Sequence, residues 1–234
     1  MKNPEIKIIT IENPIEYHLP GIVQTQVEPG KGYDFVNGLK AIMRQDPDVI
    51  LVGEIRDLET AELALQASLT GHLVLSTIHA NDAVGVVSRF LALGAKPFHI
   101  APSLKLIVAQ RLARKVCKKC ALLKKISKEQ LDILKKFLDN IKGVKIHSDL
   151  KIPVAKGCTE CNFTGYKGRI GIFEAFVVDG EIESLILRST PDSFLKKRAM
   201  EKGMITLTQD GLLKVLDNIT TMEEIEKVIG FFEN

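Results

Sequence analysis

The stretch that most constrains this chain is Asp46-Pro47-Asp48-Val49-Ile50-Leu51-Val52-Gly53-Glu54-Ile55-Arg56-Asp57. The run Val49 to Val52 has no polar face to turn toward water, so it predicts a short strand buried on both faces of a sheet. Strands of that kind belong to α/β architectures, in which ligands bind beyond the carboxyl ends of the strands. Glu54 stands at that end, where a catalytic acid is expected, although a surface carboxylate at a strand end has the same local sequence.

A second apolar run, Leu73-Val74-Leu75-Ser76-Thr77-Ile78, predicts another buried strand and leads into His79-Ala80-Asn81-Asp82. An opening strand, Ile6 to Ile11, leads into Glu12-Asn13-Pro14-Ile15-Glu16. Three strands aiming polar groups at one rim is how a nucleotide or phosphate site is built in such folds. His72 and His79 bracket the second run, and seven extended steps place them about 23 Å apart, too far for one metal ion. Either histidine, taken alone, is more often structural than catalytic.

Helices fill the intervals. Phe35, Leu39 and Ile42 have helical spacing within residues 33–44, and Asp57 can cap a helix running to Gly71. Asn81 or Asp82 can cap another that ends near Gly94, and residues 103–116 read as an amphipathic helix with Arg111, Arg114 and Lys115 in its last turn. Pro20-Gly21 and Pro29-Gly30 bracket a loop or hairpin, with Ile22 to Val27 as a short exposed strand between them. Strands alternating with helices over 1–116 predict an α/β domain with a largely parallel sheet. Beyond it, residues 117–165 read as a separate module with a lysine-rich helix near Lys128 to Leu138. Residues 166–234 follow as a strand, Arg169 to Val178, and a helical tail in which Thr190-Pro191 starts one helix and Thr221 with Glu224 forms a capping box on another.

Charge separates these regions. Residues 1–105 carry 9 basic and 12 acidic groups, residues 106–168 carry 15 and 5, and residues 169–234 carry 8 and 12. The basic middle could attract nucleic acid, but Phe137 is the only aromatic between Arg111 and Lys156, and stacking platforms need more. No nucleic-acid partner is expected; a solvated face or an acidic partner fits better. No apolar run approaches a membrane span and none opens the chain as a secretory signal, so a cytoplasmic protein is expected.

The four cysteines form two pairs, Cys117-Lys118-Lys119-Cys120 and Cys158-Thr159-Glu160-Cys161. Two CxxC pairs predict a closed tetrahedral Zn²⁺ site, with nearby lysines offsetting the net charge of −2 that four thiolates leave on the ion. Disulfides are the alternative, disfavoured in a reducing compartment.

Together these motifs resemble the C-terminal part of the secretion ATPases that power type II secretion and type IV pilus assembly. Ile9 to Tyr17 is similar to that family's aspartate box, Arg44 to Asp57 to its Walker B segment, and Thr70 to Asp82 to its histidine box. Gly157 to Cys161, with Thr164-Gly165-Tyr166 and Gly168 to Gly171, is similar to its zinc module. The resemblance implies a RecA-like ATPase core that forms a homo-hexamer, works against an inner-membrane platform protein, and uses ATP and Mg²⁺. It implies that Glu54 polarises the attacking water, that Glu12 and Glu16 support the metal, and that His79 contacts the γ-phosphate. It also implies that Arg44, Arg56 and His72 meet phosphate charge, some of them across a subunit boundary.

Two departures stand out. Asn13 replaces the family's aspartate. The motif G-x-x-x-x-G-K-[ST] is missing from these residues; around Pro29-Gly30-Lys31-Gly32 it would need a glycine at Thr25 and a hydroxyl at Gly32. The ATPase core is therefore expected to be partial, with the phosphate loop upstream, and the chain alone is expected not to hydrolyse ATP.

Overall fold

In a computed structural model, residues 5–141 and 143–230 are described. The chain divides into two compact units, residues 1–107 with 177–199 and residues 108–176 with 200–234. It passes from the first unit to the second and back before ending in the second.

The first unit is built on a four-stranded sheet in the order β2-β1-β3-β4, from β1 (Ile8–Glu12), β2 (Val23–Gln26), β3 (Val49–Ile55) and β4 (Leu73–Ile78). Every pairing is parallel. Ile9, Ile11, Ile50 and Val52 are fully buried at its centre, which the unbroken apolar run of β3 requires.

Crossover helices cover the sheet. Asp34 caps α1 (Phe35–Met43) by accepting from the Asn37 amide at 2.7 Å. Gly38 lets α1 approach β1, since a Cβ there would lie 2.1 Å from Ile11 Cδ1. Asp57 caps α2 (Leu58–Leu69) through the Thr60 amide at 2.8 Å. The remaining helices of this unit are α3 (Gly85–Leu93), α4 (Pro97–Ser103), α6 (Gly180–Leu187) and α7 (Asp192–Glu201), the last running to the unit boundary.

Two strands differ from expectation. β2 is not one arm of a hairpin but a parallel edge strand beside β1. Its glutamines tie down the connecting loop: Gln26 accepts from the Ile15 amide at 3.1 Å and Gln24 from the Leu19 amide at 2.6 Å. That work explains why so polar a segment is a strand. β4 is not buried on both faces; it lies at an edge of the sheet, with Leu73 46% and Leu75 40% exposed.

In the second unit, β5 (Leu106–Val116) pairs with β8 (Tyr166–Val177), and β6 (Leu122–Lys125) pairs antiparallel with β7 (Lys151–Val154). Residues 103–116 are thus mostly a strand and not the expected amphipathic helix. Their apolar residues suit either period, and pairing with β8 decides the outcome. Around them pack α5 (Lys128–Leu138), α8 (Leu207–Leu216) and α9 (Met222–Ile229). Leu134, Leu138, Ile172, Leu212, Val215 and Ile225 are fully buried in their shared core, each worth roughly 1.5–3 kcal/mol relative to exposure. Thr221 caps α9 through the Glu224 amide at 3.2 Å. The Glu224 side chain, however, leaves the expected capping box for Arg114 on β5.

Candidate functional site

The parallel sheet sends the carboxyl ends of β1, β3 and β4 to one rim. Ile11 pairs with Val52 and Val52 with Ser76, so Glu12, Glu54 and the segment after Ile78 emerge together. Between Val52 and Ile55 the register with β4 slips: three steps on β3 match two on β4, ending at Ile55 opposite Ile78. The irregularity falls at Gly53 and Glu54. A bulge there bends the strand and re-aims a side chain, here the glutamate. Thr77 Oγ1 donates to the Gly53 carbonyl at 2.7 Å. Gly53 is also needed for space, because a Cβ would lie 3.2 Å from the Ile11 carbonyl oxygen and 3.3 Å from Glu12 Cα.

Glu54 is largely buried, its side chain 15% exposed, and Oε2 meets Arg56 Nε at 2.6 Å and His79 Nε2 at 3.6 Å. Both partners are open to water, Arg56 at 64% and His79 at 86%. A shielded carboxylate edged by an exposed guanidinium and an exposed imidazole can orient a water molecule and meet an incoming anion. Glu12 ends the neighbouring strand β1, with Oε1 accepting from Thr10 Oγ1 at 2.6 Å and from Gln24 Nε2 at 3.0 Å.

The other expected residues are placed differently. Glu16 is exposed in the loop beyond Glu12, outside the Glu54 contacts. Arg44, exposed, ends α1 ahead of β3. His72 precedes β4, with Nδ1 against the Ala67 carbonyl at 2.9 Å and Thr70 Oγ1 at 3.2 Å, so it closes the end of α2. Arg44 and His72 therefore lie toward the amino ends of the strands, away from Glu54. The bulge was missed, because a register slip leaves no local mark in sequence.

In the second unit, Cys117, Cys120, Cys158 and Cys161 bring their sulfurs within 4.8 Å of one another. Cys117–Cys158 are 3.9 Å apart, and Cys120–Cys161 and Cys158–Cys161 3.8 Å. A disulfide needs about 2.05 Å. Four sulfurs at about 2.3 Å from a tetrahedral Zn²⁺ would stand about 3.8 Å apart. The cluster therefore has the dimensions of a Zn²⁺ site and not of two disulfides. Burial disfavours the Cys161 thiolate, but the Cys158 and Gly165 amides, 3.2 and 3.3 Å from its Sγ, together with hydrogen bonds from the Cys120 and Cys158 thiols, outweigh burial and bring the thiol down to about 6. Burial pushes Cys120 up to about 12. Glu160 at the edge of the cluster pairs with Lys119 at 3.1 Å and with Lys167.

The cluster is joined to the rest of its unit by a polar network. Arg114 Nε donates to both carboxylate oxygens of Glu224 at 2.9 Å, and its backbone amide donates to Oε1 at 2.9 Å. The guanidinium lies 4.1 Å from the Tyr166 ring centroid, and Tyr166 Oη is 2.9 Å from Thr221 Oγ1. One residue before Tyr166, the Gly165 carbonyl accepts from the Cys117 amide at 2.9 Å.

The family described as "Type II/IV secretion system protein" matches residues 1–227. Among curated relatives, the type IV pilus assembly ATPase PilB of Thermus thermophilus is 45% identical over 222 residues, 95% of this chain and 24% of that protein. The type II secretion system ATPase E of Vibrio cholerae is 46% identical over 232 residues, 97% of this chain and 44% of that one. This chain thus spans less than half of either relative. Among solved structures, the pilus retraction motor PilT with bound ADP is similar with a TM-score of 0.63 at 27% identity, over 94% of this chain and 52% of that one. The Legionella pneumophila ATPase DotB gives 0.63 at 20% identity, over 94% and 50%, and at that identity shows the fold alone.

Proposed function

This chain belongs to the type II/IV secretion system protein family, and from that premise we propose that it carries the water-activating half of an ATPase that drives protein export or pilus polymerisation. The observation that carries the reading is the bulge at Gly53–Glu54, which sets a shielded carboxylate between Arg56 and His79 at the sheet rim. In phosphoryl transfer, positioning and charge compensation do most of the catalysis. In this reading Glu54 orients the water, Arg56 and His79 meet the phosphate charge, and Glu12 and Glu16 are assigned to the Mg²⁺ that accompanies ATP. The triphosphate itself is held by a phosphate loop outside these residues.

Arg44 and His72, toward the other edge of the sheet, are too distant to serve the same nucleotide. In a homo-hexamer they face a neighbouring subunit, which is the role proposed for them. The four cysteines hold a structural Zn²⁺ with no open position. The acting protein works at the cytoplasmic face of the inner membrane against a platform protein; among the described residues no helix is long and apolar enough to cross a membrane.

Hydrolysis assays test the reading. The 234-residue chain alone should be inactive. Joined to the phosphate-loop segment of a relative, it should show Mg²⁺-dependent turnover that Glu54→Gln removes. Turnover by the unjoined chain, or a joined protein indifferent to Glu54→Gln, would overturn it. A second reading is a non-catalytic docking module, favoured by the excess of 15 basic over 5 acidic groups in residues 106–168 and by exposed Leu123 and Phe163, at 55% and 73%. Restored nucleotide binding without turnover would select it.

A further inference from the structure

His79 is 86% exposed and touches Glu54 at a long 3.6 Å. Packing does not hold such a ring in place; the backbone must carry it there. The rim strand β4 ends at Ile78, and four residues later the chain is anchored at Asp82. Asp82 Oδ1 accepts from the Gly85 amide at 2.9 Å, which closes the turn into α3. Its other oxygen accepts from Lys196 Nζ at 3.0 Å, across 114 residues of sequence.

Lys196 lies on α7, whose Leu195 and Ala199 are buried at 2% and 1% exposure, so the helix is seated and its lysine is delivered from a fixed base. One turn earlier on the same face, Asp192 Oδ1 accepts from Ser88 Oγ on α3 at 2.6 Å. Two bonds from residues four apart thus reach α3 and the turn that precedes it. Asp82 and Lys196 are 30% and 39% exposed, intermediate between a surface pair and a core pair. Burial disfavours the Asp82 carboxylate, yet the Gly85 amide and Lys196 hold its carboxyl below the ordinary range.

We propose that Lys196 is a positioning residue: by fixing Asp82 it sets the loop 79–82, and through that loop the placement of the His79 ring against Glu54. The proposal rests on the reading of Glu54 and His79 as the working pair. It assigns a role at the rim to a helix far along the chain from any of the motifs that mark the site.

The test is the side-chain NMR spectrum of the histidines in the 234-residue chain. The His79 ring signals are identified by their loss in His79→Gln, and Glu54→Gln gives the displacement that follows loss of the carboxylate contact. Lys196→Met should displace the His79 signals in the same direction and leave those of His99 and His147 in place. Lys196→Arg should restore them. Asp192→Ala, which removes the acceptor of the Ser88 bond and so the tie from α7 to α3, should leave His79 unmoved. If Lys196→Met loses the dispersed spectrum of a folded chain, Lys196→Gln takes its place with the same expectation.

Unmoved His79 signals in the folded lysine variant, or equal displacement in Asp192→Ala, would overturn the proposal in favour of general helix seating. Failure of the ATPase reading is a separate event: it appears as hydrolysis indifferent to Glu54→Gln in the joined protein, whatever the spectra show.

Discussion

Glu54 and Glu224 each meet an arginine, and they form opposite kinds of pair. Glu54 is held by Arg56, two residues along, through a single nitrogen at 2.6 Å, and that arginine is 64% exposed. Glu224 is held by Arg114, 110 residues away, through both carboxylate oxygens and a backbone amide, with a tyrosine ring against the guanidinium. The Glu224 side chain is 4% exposed. Exposed pairs are worth little and exchange readily with water or an incoming anion. A buried carboxylate with every lone pair used is expensive to break. The first arrangement suits a site that must open, and the second a joint that must not.

The largest effect expected from breaking this contrast is on the second unit. If Zn²⁺ closes the cysteine cluster, its binding free energy is part of folding, and metal removal by a strong chelator, or Cys158→Ser, should abolish cooperative unfolding there. Hydrogen exchange should rise across residues 108–176 and in α9, while α1 and β3 stay protected. Equal protection with and without chelator would remove the metal from the account.

Next in size, Glu224→Gln should destabilise the second unit by about 2–3 kcal/mol, because it leaves a partly buried arginine without its counter-charge. Denaturant melts measure this. The same change carries a pH signature. The folded state holds the Glu224 carboxyl below its ordinary 4.5: burial opposes this, and the hydrogen bonds from Arg114 prevail. A lowered folded value means the stability is fully present above the unfolded value and is lost as pH falls through the folded one. Below about pH 4.5 the wild-type advantage over Glu224→Gln should therefore shrink.

Smaller again, Gly53→Ala should cost about 1 kcal/mol, since a methyl group there crowds the β1 backbone. It should also shift the resonances of His79. Smallest of all, Glu54→Gln should change stability by less than about 0.5 kcal/mol. A loss as large as that of Glu224→Gln would erase the contrast and make Glu54 a structural residue.

What sequence could reveal follows the range of the interactions. The β3 run, the Asp57 cap and the helix at Lys128–Leu138 rest on neighbours within a few residues, and all appear where expected. The cysteines were legible at long range because CxxC spacing is itself a ligand pattern. The β5 strand was not, because Leu106 to Val116 satisfies both periods until β8 pairs with it. Nor was the Glu54 bulge, which exists only relative to β4. Thr221 and Glu224 had the spacing of a capping box, and a distant arginine claimed the glutamate. At the rim, Glu54 and His79 were legible as neighbours because both follow strands of one parallel sheet, whereas His72, in the same motif, closes a helix at the far end of its strand.

The division of the chain into interleaved units also bears on its synthesis. A protein leaving the ribosome commonly completes its domains in order, the amino-terminal one first. Here the first unit reclaims residues 177–199 after the intervening segment 108–176 has been made. Its sheet can form early, but α6 and α7, with the Lys196 bond to Asp82, arrive only after most of the second unit has emerged. The unit that carries Glu54 is thus completed only after residues 108–176 of the second unit have been made. A stop codon at residue 177 would spare every motif of the rim and both cysteine pairs, yet remove the helix that holds the histidine loop.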